Sequence, residues 1–304
     1  MAGSSGVSHP RPMKTRRIGS LEVSVIGLGC NNFGSRLDAD GTANVVHAAI
    51  DAGVTLFDTA DIYGGTQSEV FLGRALGTRR DKIVLATKFG VPIQGAPAGA
   101  SPAYIRTAIE ASLRRLGTDR IDLYQLHTPD PSVPIAETLQ ALDELVRAGK
   151  IREIGCSNFS VAQLREAVPP AGAAQLVSVQ NELSLLHRDD VADVLPECAA
   201  RSIAYLPYFP LAGGMLTGKY QGAAGQAAVG RLAAAGGLAD RFRAPANSAL
   251  VDQLTALAGS YGHTLLELAF AWLLSFPAVA SVIAGATTPE QVRANALGVA
   301  PISR

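Results

Sequence analysis

The sequence predicts an α/β fold, a (β/α)8 TIM barrel, on three observations. Eight short apolar runs recur along it, amphipathic helical patterns alternate with them, and no complete dinucleotide glycine fingerprint follows the first run. The runs fall at residues 25–28, 55–57, 83–86, 121–125, 151–155, 176–179, 203–206 and 279–283. They are rich in Val, Ile and Leu, as parallel strands buried on both faces require. A chain of 304 residues suffices for one such barrel, here expected over residues 14–304 as a single domain.

Residues 1–13 are rich in Gly, Ser and Pro and lack an apolar core, so they read as a disordered tail and not as a secretory signal. Residues 14–24 read as a β-hairpin turned at Gly19-Ser20, placed to plug the barrel floor. The first run ends in Gly27-Leu28-Gly29-Cys30-Asn31-Asn32. The third glycine of G-x-G-x-x-G is missing and the next helical pattern starts only at about Thr42, which argues against an open doubly wound sheet. Ser101-Pro102 supplies an N-cap and a proline for the first turn of a helix running on through 106–116. A helix at 135–148 ends at Gly149, a C-cap residue. After the seventh run, residues 217–247 form a Gly/Ala-rich insertion, long for a connection and so expected to be a functional loop. Residues 268–286 carry no charge, but Pro277 divides the region into a helix at 265–275 and a strand at 279–284, not a membrane span.

Lys+Arg and Asp+Glu balance at 26 each, which gives no electrostatic case for nucleic acid. Hydrophobic residues make up 48%, enough for a sizeable core. Cys30, Cys156 and Cys198 are odd in number and lack C-x-x-C spacing. A disulfide framework or metal site is therefore not expected, and a reducing cytoplasm is.

Barrel chemistry sits at the C-terminal ends of strands. The second run leads into Asp58-Thr59-Ala60-Asp61-Ile62-Tyr63-Gly64, the third into Thr87-Lys88, the fourth into Leu126-His127. These ends are neighbours in a barrel, so Asp58, Tyr63, Lys88 and His127 can converge. A phenol with a pKa of ~10 exchanges protons poorly at neutral pH, and an adjacent ammonium is expected to lower that value. Asp58 would orient Lys88, His127 would hydrogen-bond a substrate oxygen, and Tyr63 would act as a general acid. Taken singly, each side chain is more often an ordinary salt-bridged or structural residue; the four together in this order point to function.

With these motifs the chain resembles the aldo-keto reductase family from about residue 14 to residue 299: Phe57-Asp58-Thr59-Ala60 with Tyr63-Gly64, Thr87-Lys88 and Leu126-His127 match its catalytic tetrad. The resemblance implies carbonyl reduction with hydride from a nicotinamide cofactor, a proton from Tyr63, and no metal. It implies that Ser157, Asn158 and Gln180 hold the carboxamide and that Tyr208 stacks on the nicotinamide ring. Gly29, Phe209, Leu211 and Gly213 are further cofactor positions, the last in the loop over the pyrophosphate. Gly285, Ala286 and Thr287, followed by Gln291 and Asn295, match the adenosine end.

Two departures bear on the cofactor. Phe209 stands where many relatives carry Ser, and Gly285 to Thr287 with Gln291 lack the Lys or Arg that pairs with a 2′-phosphate, leaving Thr287, Thr288, the helix N-terminus and Arg293. The family implies NADPH; NADH stays open. The expected partner is a small-molecule carbonyl substrate, with Phe33, Phe89, Phe159 and Phe209 as a candidate apolar wall. An NAD-linked sugar or polyol dehydrogenase and a slowly turning redox-sensing subunit are the alternatives, and the oligomeric state is left open.

Overall fold

Strand polarity and pairing follow directly from the apolar runs. The computed structural model describes residues 13–93, 98–219 and 237–299. The tail at 1–12 and residues 220–236 of the insertion lie outside this range. Two strands, β1 (Thr15–Ile18) and β2 (Leu21–Ser24), form the antiparallel hairpin. Eight more build the barrel: β3 (Ile26–Gly29), β4 (Leu56–Asp58), β5 (Val84–Phe89), β6 (Ile121–Leu126), β7 (Ile151–Ser157), β8 (Leu176–Gln180), β9 (Ala204–Tyr205) and β10 (Val282–Gly285). They are parallel, in the order β10-β3-β4-β5-β6-β7-β8-β9.

The seam between β9 and β10 is closed just ahead of β10. Tyr205 bridges Val279, donating from its N–H to Ala278 O at 2.7 Å and accepting from Ala280 N at 3.0 Å. Ile283 N then donates to Pro207 O at 3.2 Å. The run at 279–283 thus serves both as the closing bridge and as the start of β10.

Ten helices are described: α1 (Ala39–Asp51), α2 (Gln67–Leu76), α3 (Pro102–Leu116), α4 (Ile135–Arg147), α5 (Val161–Glu166), α6 (Val194–Arg201), α7 (Gly237–Phe242), α8 (Pro245–Ser260), α9 (Leu265–Leu274) and α10 (Pro289–Leu297). Helix α1 begins at Ala39, ahead of the expected Thr42, because Asp38 caps it by accepting from Gly41 N at 2.8 Å. Ser101 caps α3, with Pro102 opening the helix. Thr264 and Glu267 form a reciprocal capping box on α9, which starts the uncharged stretch as a short helix. No helix among the described residues is long and apolar enough to cross a membrane.

Period-two alternation sorts the strand side chains. Leu56, Val84, Ala86 and Leu123 face the barrel interior, where they pack with Ile18, Leu21 and Val23 of the hairpin. Phe57, Leu85, Phe89 and Tyr124 face the helices. The hairpin is therefore the floor plug expected, and Arg16 ties it down by donating to Leu274 O at 2.8 Å and to Val279 O. The same alternation sends Asp58, Lys88 and Gln125 inward at the opposite, C-terminal rim.

Candidate active site

Above the apolar plug, the polar strand ends meet. Lys88 is fully buried and donates from Nζ to Asp58 Oδ2 at 2.5 Å and to Thr59 O at 2.9 Å. Its third neighbour is the Tyr63 hydroxyl at 3.5 Å, and Nζ lies 5.1 Å from that ring's centroid. His127 meets the Tyr63 ring edge-on, with centroids 5.7 Å apart and planes at 80°. The tetrad read from the strand ends is assembled.

Tyr63 is held by its backbone. Its N–H donates to Ala60 O at 3.2 Å, and its carbonyl accepts from Ser68 N at 3.2 Å. The next residue, Gly64, adopts φ 58°, and a Cβ there would sit 2.4 Å from Phe33 O. Only glycine fits, because both the left-handed backbone and the close approach forbid a side chain.

The ionisation states follow from burial and charge. Burial pushes the Tyr63 phenol above its ordinary value, and Lys88 only partly counters this. That corrects the expectation of a net lowering by the lysine: loss of hydration outweighs one ammonium 3.5 Å away. Tyr63 is consequently a neutral phenol throughout the neutral range, the state a proton donor needs. Burial acts to lower the Lys88 value, but Asp58 and Tyr63 together carry it above normal, so the lysine stays charged. Burial, with Lys88 adding to it, pulls His127 down to about 3. His127 is a neutral imidazole whose Nδ1 is buried without a partner among the described residues.

Gln125 was not singled out as a site residue, yet its Nε2 donates to Asp58 Oδ1 at 3.0 Å. Gln180 Nε2 donates to the same oxygen at 2.9 Å. Asp58 thus accepts from a lysine on one oxygen and two amides on the other, which fixes its plane. The sequence signal of Gln125 is position: it is a polar residue two places after the barrel-facing Leu123, at the C-terminal end of β6.

A cleft of about 770 Å³ opens from this group across the barrel mouth. The tetrad residues other than Lys88, and all the cofactor positions from Gly29 to Asn295 that the family resemblance implies, line it; Lys88 lies beneath, behind Asp58 and Tyr63. At the middle, Ser157 Oγ donates to Gln180 O at 2.6 Å, Asn158 Nδ2 to His127 O at 2.9 Å, and Tyr208 OH to Asn158 Oδ1 at 2.9 Å. Leu211 leads into a turn where Gly213 and Gly214 take φ 68° and 108°. At the far end Gly29 packs against Ile283, and Asn32 Nδ2 reaches Ala286 O at 3.1 Å. There Thr287 donates from its N–H and hydroxyl to Gln291 Oε1 at 2.8 and 3.2 Å, while Asn295 is buried.

The aromatic wall is corrected. Phe33, Phe89 and Phe159 are buried in the strand–helix core, Phe89 stacked on Tyr124 at 4.6 Å, and only Phe209 borders the cleft. Strand alternation turns Phe89 outward, and Phe33 and Phe159 are buried in the same cluster. The three cysteines are buried and free. Burial raises the Cys30 thiol well above normal, so it is no nucleophile despite lining the cleft.

A cleft of this size, bordered by backbone glycines, an exposed amide, a tyrosine face and a helix N-terminus, fits an extended dinucleotide with its reactive end at Tyr63. Residues 25–300 match the model of the aldo/keto reductase family. The chain is 37% identical over 291 residues to aldo-keto reductase YhdN of Bacillus subtilis, covering 90% of this chain and 84% of that protein. It is 38% identical over 281 residues to an uncharacterized oxidoreductase of Mycobacterium tuberculosis, with the same coverage of 90% and 84%. Its structure is similar to the holo form of aldo-keto reductase AKR11C1 from Bacillus halodurans, with TM-score 0.77 and 32% identity over 94% of this chain and 91% of that one. The chain belongs to the aldo/keto reductase family and is an NAD(P)H-dependent oxidoreductase.

Proposed function

We propose that this protein reduces aldehydes or ketones to alcohols, with Tyr63 as the proton donor. The observation that carries the reading is the buried Lys88–Asp58 pair set against the Tyr63 hydroxyl at the base of the cleft. Tyr63 OH and the neutral His127 face the same space and together hold a carbonyl oxygen. Tyr63 gives its proton to that oxygen, and Lys88, kept charged by Asp58, stabilises the tyrosinate left behind. When bound, the reduced nicotinamide supplies the hydride.

Ser157, Asn158 and Gln180 would hold the carboxamide, Tyr208 would flank the ring, and the turn at Leu211 to Gly214 would cover the pyrophosphate. Gly285 to Thr287, Gln291 and Asn295 would surround the adenosine. Family membership favours NADPH. A second reading, NADH, is supported by the adenosine end itself: none of those residues is cationic, Gln291 occupies the Thr287 donors, and Arg293 turns to Glu290 at 3.3 Å. The reading treats residues 14–304 as one cytoplasmic domain acting on small carbonyl compounds.

Initial rates of NADPH and NADH oxidation with an aromatic aldehyde test the proposal. Aldehyde-dependent turnover is expected, with any NADPH preference under about tenfold if the missing cations matter. Bound nicotinamide without turnover on any carbonyl would overturn it.

A further inference from the structure

One buried carboxyl takes no part in the chemistry above. Asp61 lies on the β4–α2 loop that carries Tyr63 and is only 1% exposed. Its backbone N–H anchors the loop to β5 by donating to Lys88 O at 3.0 Å. Its carboxyl interacts electrostatically with Glu69 on α2, Tyr104 and Arg115 on α3, Tyr124 on β6, and Lys88.

Glu69, which is fully buried, takes the Thr87 hydroxyl and the Arg115 Nε: its Oε1 accepts from Thr87 Oγ1 at 2.6 Å and its Oε2 from Arg115 Nε at 2.7 Å. Arg115 also donates to Ser112 Oγ at 3.2 Å. Asp61 is left with the Ile62 N–H, and its Oδ1 is buried with no partner among the described residues. The Tyr124 hydroxyl is likewise buried without one. Two largely buried carboxyls therefore share one guanidinium. In such a place one of them stays neutral, because a second anion there has lost most of its hydration and meets a like charge. Burial first, and the Glu69 charge second, push the Asp61 value up to about 7.

We propose that neutral Asp61 is a positioning residue for Tyr63: the loop keeps the tyrosine hydroxyl at Lys88 and His127 while Asp61 is uncharged, and ionisation of Asp61 displaces it. The proposal rests on Tyr63 being the acid. An ionised Asp61 faces the charge of Glu69, which already holds the Arg115 Nε donor, so ionisation sets two anions against one another beside the loop. Gly64 and Gly65, with φ 58° and 60°, follow directly in the loop, and Gly65 has open space around its Cα. The contact that must survive, Lys88 Nζ to Tyr63 OH, is already at 3.5 Å, so a small shift of the loop removes it.

The test is the single-turnover reduction rate from about pH 5.5 to about pH 9 in wild type, Asp61→Asn and Tyr63→Phe. Neither Tyr63, raised above its ordinary value, nor His127, at about 3, titrates in that window. The wild-type rate should fall at least about tenfold across a one-proton limb centred near pH 7. Asp61→Asn, an uncharged isostere, should keep the acid-side rate and lose the limb. An Asn variant that retains the limb, or that loses activity equally at every pH, would overturn the proposal. Difference infrared titration of the wild-type protein reads the same carboxyl without turnover and without a variant that must fold. A protonated-carboxyl band disappearing near pH 7 supports it, and no such band above about pH 5 overturns it. Full activity of Tyr63→Phe would instead sink the underlying assignment of the acid, whatever Asp61 does.

Discussion

At the scale of single residues, the site depends on side chains whose freedom has been removed. Lys88 is wholly buried and its ammonium has three oxygen neighbours, so replacing it leaves Asp58 as an unpaired buried anion. Lys88→Met should lower turnover by about 10²-fold or more, through an unsupported tyrosinate, and also destabilise the fold by about 3 kcal/mol. Rates and denaturant midpoints measured on one preparation separate the two effects; unchanged turnover would remove the lysine from the mechanism. Asp58, Tyr63, Lys88 and His127 were legible in the sequence because a barrel sends strand ends to one rim. Gln125 was overlooked, since a single amide in a strand suggests no chemistry until Asp58 is seen to take donors on its second oxygen. Phe33, Phe89 and Phe159 were misread for a related reason: proximity in sequence to a site residue does not tell which face of the strand or loop a side chain takes.

At the scale of elements, the hairpin β1–β2 shows how sequence patterning becomes architecture. Ile18, Leu21 and Val23 alternate with polar neighbours and are essentially unexposed against Leu56, Val84 and Leu123. Leu21→Ala should therefore cost about 2–5 kcal/mol by opening a cavity under the barrel, with turnover of the remaining folded protein little changed. Equilibrium urea unfolding measures it, and a loss below about 1 kcal/mol would mean that the plug is not integral to the core. Strands, hairpin and two of the caps could be read from the apolar runs, Gly19-Ser20, Ser101-Pro102 and Gly149. The start of α1 was missed because Asp38 sits four residues before the first buried helical side chain, Thr42, and a cap is visible only through what it bonds. The two-residue β9 is too short to be delimited by alternation; its bounds come from its pairing with β8, Ala204 beside Ser178 and Tyr205 beside Val179.

Over the whole molecule, two buried groups give stability opposite dependences on pH. Asp61 is pushed up to about 7, so the native state holds its proton while the unfolded chain releases it above about pH 4, and stability falls as pH rises through that interval. His127 is pulled down to about 3, so the native state resists the proton that the unfolded chain takes up below about pH 6.5. Its contribution is present above about pH 6.5 and is lost as pH falls toward 3. Each displacement is worth roughly 4 kcal/mol, and between about pH 4 and 6.5 the two offset one another. The stability of Asp61→Asn relative to wild type should therefore grow from about pH 4 to about pH 7 and be constant above. A difference independent of pH would show that Asp61 ionises alike in both states.

Barrel closure, the tetrad at its rim and the cleft leading away from it converge on Tyr63. The decisive measurement is the rate of aldehyde-dependent NADPH oxidation by Tyr63→Phe beside wild type, with cofactor affinity read from fluorescence quenching on both. The expected result is a loss of about 10²- to 10⁴-fold in rate with cofactor affinity within about twofold, because only the donated proton is removed. Near-normal turnover by the phenylalanine variant would contradict the assignment of the acid and with it the proposed reduction mechanism.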